Sequence, residues 1–378
     1  MSKHIHSARL IWRDLQVGPK ELHLDTLKCG QSFRWRYADD LWSCVLNGQL
    51  FTLKQTPSTV LYGTLPDQND DEINMMKSTL KNYFQLDRGI SLEQHYQRWS
   101  ELDNNFKQKA PYFQGIRILR QDPWENLISF ICSSNNNIAR ISKMVQNLCT
   151  HYGPLVITMD EIPYYDFPGV DQLAKPGVED KLRQLGFGYR AKYIAQTAVK
   201  IQQKEKNWLM ELRKKSYQEA KTELQTLNGV GPKVAECICL MSLDHPEAIP
   251  VDTHVWQIAL RDYGFGKKGK TLTPKLYDQV GDHFRQLFGE YSGWAHSVLF
   301  TADLRSFKDR LSDIKKEEQV VEINHNDNKK RIKKRVKEEV VIKEEKVEEE
   351  KDDNNMKKRL REESLVVRRS TRLKKSLK

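Results

Sequence analysis

Apolar positions in the first hundred residues recur with the two-residue period of strands. Gln31, Ser32, Phe33, Arg34, Trp35 and Arg36 alternate polar with aromatic and predict one strand. Trp42 to Leu46 and Leu50 to Leu53 flank Asn47 and Gly48, a pair that tolerates positive φ at both central positions of a type I′ turn, so they are predicted to close an antiparallel hairpin. Ile73, Met76, Leu80, Tyr83 and Phe84 then follow helical spacing and predict a helix laid on one face of that sheet. From about Pro111 onward the period is helical: Leu127, Ile128 and Ile131; Ile138, Ile141, Val145 and Leu148; Ile194, Ala198 and Ile201; and the stretch from Ala295 to Leu304. Glycines at 186, 188, 229 and 231 separate these helices, and no internal repeat is visible. The pattern predicts an α+β chain, with an N-terminal antiparallel β domain and its helix over 1–110 and a mostly helical core over 111–310.

Composition changes the picture chiefly beyond that core. Residues 311–378 hold 22 Lys/Arg and 16 Asp/Glu without a Phe, Trp or Tyr, so they cannot build a core and are predicted to be a disordered charged tail. Basic clusters at 329–335, 357–361 and 368–375 surround an acidic-rich run at 338–353. This fits a solvated tail, and it also fits nuclear localisation through an import receptor or nonspecific DNA contact. Lys337 and Lys343 lie in short contexts resembling acceptor sites for ubiquitin-like modifiers. The net charge of +11 favours a polyanionic partner. Because the tail carries more than half of it, a nucleic-acid site in the core must be local. No apolar run approaches the roughly eighteen residues of a membrane span, and the first fifteen residues are not expected to act as a secretory signal. Six cysteines in 378 residues are too few for a disulfide scaffold and fit reduced thiols.

The most informative stretch is 224–235, where Leu224 and Leu227 end one helix, Gly229 and Gly231 permit a tight hairpin of positive φ, and Pro232 suits the first turn of the next helix. This is a helix-hairpin-helix signature. Such a hairpin presents backbone N–H groups at the positive end of a helix to a phosphate, and so grips DNA without reading its sequence. Lys233 stands at the hairpin exit, and Asp252 follows nineteen residues later.

With these residues in place, the chain resembles the helix-hairpin-helix DNA glycosylase superfamily and, within it, the eukaryotic 8-oxoguanine DNA glycosylase/AP lyases. The motifs that carry the closer match are 30–35 (Gly-Gln-Ser-Phe-Arg-Trp), 133–140 (Ser-Ser-Asn-Asn-Asn-Ile-Ala-Arg), 185–191 and 299–305. The similarity spans about four fifths of the chain. It implies an N-terminal antiparallel domain packed on a helical core, with double-stranded DNA bound so that 8-oxoguanine flips out opposite cytosine. Lys233 is then the nucleophile and Asp252 its electrostatic and proton-handling partner. Gly30, Cys237, Met241, His296 and Phe300 form the base pocket, and the Gly30 carbonyl accepts from N7–H of the lesion, where guanine offers only an acceptor. Asn135, Arg140 and Arg190 read the orphan cytosine, with Tyr189 as wedge. Gly229, Gly231 and His254 meet phosphate, and Asp303 supports His254.

Relatives with an iron-sulfur cluster carry four cysteines after the catalytic segment, but the last cysteine here is Cys239. Cys237 and Cys239 lack zinc-pair spacing, so no metal and no other cofactor is expected. Alkylbase glycosylases that do not cut the strand lack the lysine, so Lys233 indicates a bifunctional enzyme. The alternatives are a noncatalytic damage-binding protein of the same scaffold, a glycosylase for another modified purine, and a purely structural Lys233–Asp252 ion pair. His296 departs from the family, in which glutamine is common, and predicts retained activity with a pH dependence in the histidine range. The chain is expected to act as a monomer, away from membranes.

Overall fold

The computed structural model describes residues 3–265 and 271–307, together with 310, 356–358 and 361. By its contacts the chain divides after Lys308 into two units. The expected disordered tail, with its basic clusters, Lys337 and Lys343, lies outside the described residues apart from 356–358 and 361.

Among the described residues the strands are β1 (Lys3–Ile5), β2 (Ile11–Asp14), β3 (Arg36–Ala38), β4 (Leu41–Leu46), β5 (Gln49–Gln55), β6 (Val60–Thr64), β7 (Leu155–Met159) and β8 (Ile162–Tyr165). Five of them make an antiparallel sheet in the order β2-β6-β5-β4-β3. Its hairpin closes as the sequence predicts: Asn47 at φ 49° and Gly48 at φ 74° are both left-handed, and Leu46 pairs with Gln49. The helix Asp70–Tyr83 begins in a capping box in which Asn69 and Glu72 each accept the other's backbone N–H. It buries Met76, Leu80 and Tyr83 against Trp42, Cys44, Leu46, Phe51 and Leu53 of the sheet. Burying each such side chain fully is worth about 1.5–3 kcal/mol.

Two predicted elements are corrected. Residues 31–35 are a buried irregular segment, and the strand begins only at Arg36. Their polar groups are taken by partners outside any ladder: Gln31 Nε2 donates to the Arg117 carbonyl at 2.8 Å, Gln31 Oε1 accepts from Leu119 N–H at 3.0 Å, and the Gln31 carbonyl accepts from Gln121 Nε2 at 2.9 Å. The helical half also contains a hairpin of its own, β7-β8, to which β1 adds in parallel. Its turn is Asp160-Glu161, both left-handed, so no glycine signals it. This second sheet explains why β4 is buried on both sides, because Val45 packs with Ile157, Met159 and Tyr164.

The helical core comprises the helices Pro123–Ser133, Ile138–Tyr152, Arg190–Gln202, Tyr217–Leu224, Pro232–Ser242, Thr253–Asp262, Pro274–Phe288 and Ser292–Asp303, with shorter turns between them. Two buried arginines join it to the N-terminal half. Arg117 donates to the carbonyls of Phe84 and Gln85 at 2.9 Å and to Glu21 Oε2 at 2.9 Å, and its guanidinium lies 5.2 Å from the Trp294 ring centre. Arg34 forms a two-pronged pair with Glu125, 2.8 Å from Nε to Oε1 and 2.7 Å from Nη2 to Oε2, while Nη2 also donates to the Val45 carbonyl at 2.7 Å.

Arg34→Met strands the buried Glu125 carboxylate. It should cost about 3–5 kcal/mol of stability by urea unfolding; a loss below about 1 kcal/mol contradicts this account of the pair.

Candidate active site

Local chemistry shapes the hairpin. Gly229 sits at φ +78°, and a Cβ there would come within 2.7 Å of the Tyr193 ring, so both conformation and space require glycine. Gly231 differs from the expectation of positive φ at both glycines: it is extended, caps the helix Pro232–Ser242, and has no atom within 4 Å of a would-be Cβ, leaving its backbone open to a close approach. Pro232 opens that helix and places Lys233 in its first turn.

Lys233 Nζ donates to Ser133 Oγ at 3.1 Å and lies 5.0 Å from the Phe130 ring centre. Among the described residues no carboxylate lies within 4.0 Å of it, so a structural Lys233–Asp252 ion pair does not form. Asp252 instead caps the helix Thr253–Asp262, its Oδ1 accepting from Val255 N–H at 2.9 Å. Glu236, one turn beyond Lys233, fixes the spacing of the two. Its buried carboxylate accepts from Lys221 Nζ at 2.6 Å, from the Tyr217 hydroxyl, and from Ile249 N–H at 3.1 Å on the segment leading to Asp252.

Lys233 and Asp252 line one cavity of about 40 Å³ together with Cys29, Gly30, Gln31, Phe130, Cys237, Met241, Pro250, His296, Ser297 and Phe300. All five residues expected around the base are therefore brought to the two expected for chemistry. An apolar cavity that takes a single benzene ring is about 150 Å³, so the walls of this one must part to admit a purine. The His296 and Phe300 rings, one turn apart on the helix Ser292–Asp303, stack on each other along one wall, 6.4 Å between centres. Gly30 is left-handed at φ +82° beside Phe300 and Ile138. Burial pushes the Cys237 thiol up to about 12, against the opposing pull of Lys233, so it stays protonated. His296 is buried with both ring nitrogens unpartnered, and burial holds it down at about 4 against the weaker pull of Asp252. Burial therefore favours the neutral imidazole, which argues against the expected pH dependence in the histidine range. Among the described residues no three His, Cys, Asp or Glu side chains gather as a metal-ligand set.

Of the residues expected at the opposite base, Asn135, Tyr189 and Arg190 also meet. Arg190 is buried; its Nε donates to the Ser134 carbonyl at 3.2 Å, and its Nη2 donates to the same oxygen and to the Asn135 carbonyl at 3.1 Å. The Tyr189 hydroxyl donates to the Ser134 carbonyl at 3.1 Å, and the Tyr189 ring lies 4.6 Å from the Arg190 guanidinium. Arg140 is exposed, reaching the Gly186 carbonyl at 3.5 Å. Asn135 turns the chain at φ 48°, Asn136 bonds the Cys132 carbonyl at the helix end, and Asn137 caps the helix Ile138–Tyr152. His254 lies only loosely by Asp303, at 3.9 Å. The firmer partner of Asp303 is Arg261, at 2.8 Å, which carried no signal in the motifs. Ser133 stands in the 133–140 motif with no role expected of it, and Phe130, Tyr193 and Glu236 lie outside the motifs. The last stands three residues beyond Lys233 in a helix otherwise apolar after its first turn, and an acid in that setting is the signal that could have found it.

Between about pH 4 and the ordinary 6.5 the folded protein binds fewer protons at His296 than the unfolded chain does. Its contribution to stability is therefore full above 6.5 and lost as pH falls towards 4. His296→Gln should remove up to about 3 kcal/mol of that acid-side slope and leave the pH profile of single-turnover catalysis between about 6 and 8 unchanged. Denaturant unfolding across pH checks this; an equal slope in both proteins contradicts it.

Residues 14–127 match the family model of the 8-oxoguanine DNA glycosylase N-terminal domain, and 128–281 match that of the HhH-GPD superfamily base excision DNA repair proteins. The chain is 41% identical over 327 residues to the N-glycosylase/DNA lyase OGG1 of Arabidopsis thaliana, covering 83% of this chain and 87% of that protein. To the N-glycosylase/DNA lyase of Saccharomyces cerevisiae it is 38% identical over 330 residues, covering 77% and 85%. The solved structure of the Clostridium acetobutylicum 8-oxoguanine glycosylase/lyase, in complex with double-stranded DNA containing cytosine opposite to 8-oxoG, aligns with a TM-score of 0.65 at 30% identity, over 74% of this chain and 91% of that one. With a left-handed glycine hairpin, a lysine at its exit and an aspartate across the same cavity, the chain belongs to the 8-oxoguanine DNA glycosylase family of helix-hairpin-helix base-excision repair proteins.

Proposed function

We propose that this chain excises 8-oxoguanine lying opposite cytosine in duplex DNA and then cuts the strand 3′ to the abasic site. The observation that carries the reading is an amine, held by a hydroxyl rather than a carboxylate, sharing one cavity with Asp252. The Lys233 Nζ lone pair forms the bond to C1′ while the C1′–N9 pair leaves with the base, and the Asp252 carboxylate offsets the positive charge that builds on the sugar. Loss of amine protons and opening of the sugar ring at O4′ give the imine. Removal of a C2′ proton then expels the 3′-phosphate.

Recognition follows from the walls. The Gly30 carbonyl accepts from N7–H, which guanine lacks, so the normal base leaves that acceptor unpaired. Cys237 and Phe300 enclose the ring faces, with Met241 behind them. A neutral His296 offers one donor and one acceptor to the pairing edge, replacing the amide of the glutamine common in the family. Arg140 and Arg190 donate to cytosine O2 and N3 beside Asn135, where adenine would present a donor, and Tyr189 fills the gap in the stack. Backbone N–H groups at Gly229 and Gly231, with His254, meet the phosphates. One chain serves one lesion. The basic clusters of the tail carry the protein to the nucleus through an import receptor: truncation after Arg310 should abolish nuclear accumulation and leave excision intact, and either opposite result refutes that role.

On matched duplexes we expect single-turnover cleavage with 8-oxoguanine opposite cytosine, much less opposite adenine, and none with uracil, an alkylated purine or no lesion. Lys233→Gln should lose strand cleavage, and Asp252→Asn should slow excision by about 10²-fold. Preferred cleavage of another modified purine overturns the substrate assignment, and binding without cleavage overturns the enzyme reading.

A further inference from the structure

We propose that Ser133 is a positioning residue that couples reading of the opposite base to the placement of the catalytic amine. The inference rests on the nucleophile reading of Lys233 and adds a specificity role to the loop 133–137.

Ser133 ends the helix Pro123–Ser133, and its hydroxyl has two bonds. It donates to the Phe130 carbonyl at 2.7 Å and accepts from Lys233 Nζ at 3.1 Å. A hydroxyl has one proton, and that proton is committed to Phe130, so Ser133 meets the amine only as an acceptor. One N–H of the amine is thereby tethered to Ser133, with the Cys237 thiol beside it, and its lone pair, once the group is neutral, faces away from Ser133. A neutral tether does this without the proton-retaining pull that a carboxylate exerts.

One residue further on, the chain belongs to the opposite-base reader. Arg190 and the Tyr189 hydroxyl both donate to the Ser134 carbonyl, and Arg190 also reaches the Asn135 carbonyl. The backbone just beyond the two contacts is bent, with Asn135 left-handed and Asn136 tied to the Cys132 carbonyl. Consecutive residues therefore bind the amine and the arginine. When Arg190 turns its donors to a cytosine edge and Tyr189 enters the stack, the Ser134 carbonyl loses their bonds and the loop resettles, carrying Ser133 Oγ and the tethered amine to the attacking position. An opposite adenine, offering a donor, does not draw Arg190 away, and the amine stays where the DNA-free protein holds it. A second contact path joins the same parts: Tyr189 packs edge-on to Tyr193, 5.8 Å between ring centres, and Tyr193 lies against Gly229, four residues before Lys233.

The test is single-turnover excision of 8-oxoguanine opposite cytosine and opposite adenine by the full chain, as wild type, Ser133→Ala and Ser133→Thr. We expect Ser133→Ala to slow the cytosine duplex about tenfold, the scale of one hydrogen bond to an amine, and to slow the adenine duplex severalfold less, so that the preference for cytosine falls while DNA affinity holds. Ser133→Thr, which keeps the hydroxyl, should restore both rate and preference. An equal slowing on both duplexes, or an unchanged preference, overturns the coupling. Absence of any cytosine preference in the wild type would instead overturn the opposite-base reading on which it rests.

Discussion

The site depends on keeping acids away from one amine. A lysine at a hairpin exit in a protein rich in carboxylates would ordinarily find one, and an ion pair would hold its proton and its lone pair with it. Here each nearby acid has another partner. Glu236 takes Lys221 and the Ile249 N–H, and Asp252 takes the Val255 N–H. Lys233 is left to the Ser133 hydroxyl, the Cys237 thiol and the Phe130 ring. Asp252 still lines the same cavity, where it can answer the charge that develops on the sugar without neutralising the nucleophile beforehand.

The opposite wall of the cavity comes from the sheet-bearing half, and buried polar bonds set its position. Gln31 and Gln121 fix the chain next to Gly30, and Gln121 N–H reaches the Met241 carbonyl at 2.8 Å on the nucleophile's own helix. Arg117 and the Arg34–Glu125 pair hold the same segments from behind. The left-handed Gly30 is thus tied by its neighbours to both halves. Bonds of this kind are costly to break singly, because each would strand a buried partner.

What the sequence made legible were features with a short-range physical cause. Asn47-Gly48 dictates its turn by conformation alone, Met76 and Leu80 mark a helix face by spacing, and the hairpin at Gly229 announces itself through glycine and proline chemistry. Features created by distant partners were illegible. Residues 31–35 alternate as a strand does, yet Gln31 bonds to residues 117 and 119 and Arg34 to Glu125, contacts no local pattern contains. The β7-β8 hairpin was hidden by an Asp-Glu turn. His296 was identified as a departure, but its neutrality follows from burial, which spacing does not give. Ser133 opens a motif that carries the resemblance, but its bond to Lys233 joins residues too far apart in the chain for any local pattern to contain it.

The most direct measurement is borohydride reduction during turnover on an 8-oxoguanine–cytosine duplex, followed by peptide mapping of the protein–DNA adduct. The account predicts a single reduced linkage at Lys233 Nζ. An adduct mapped to any other residue, or strand cleavage that proceeds with no trapped adduct at all, would contradict it.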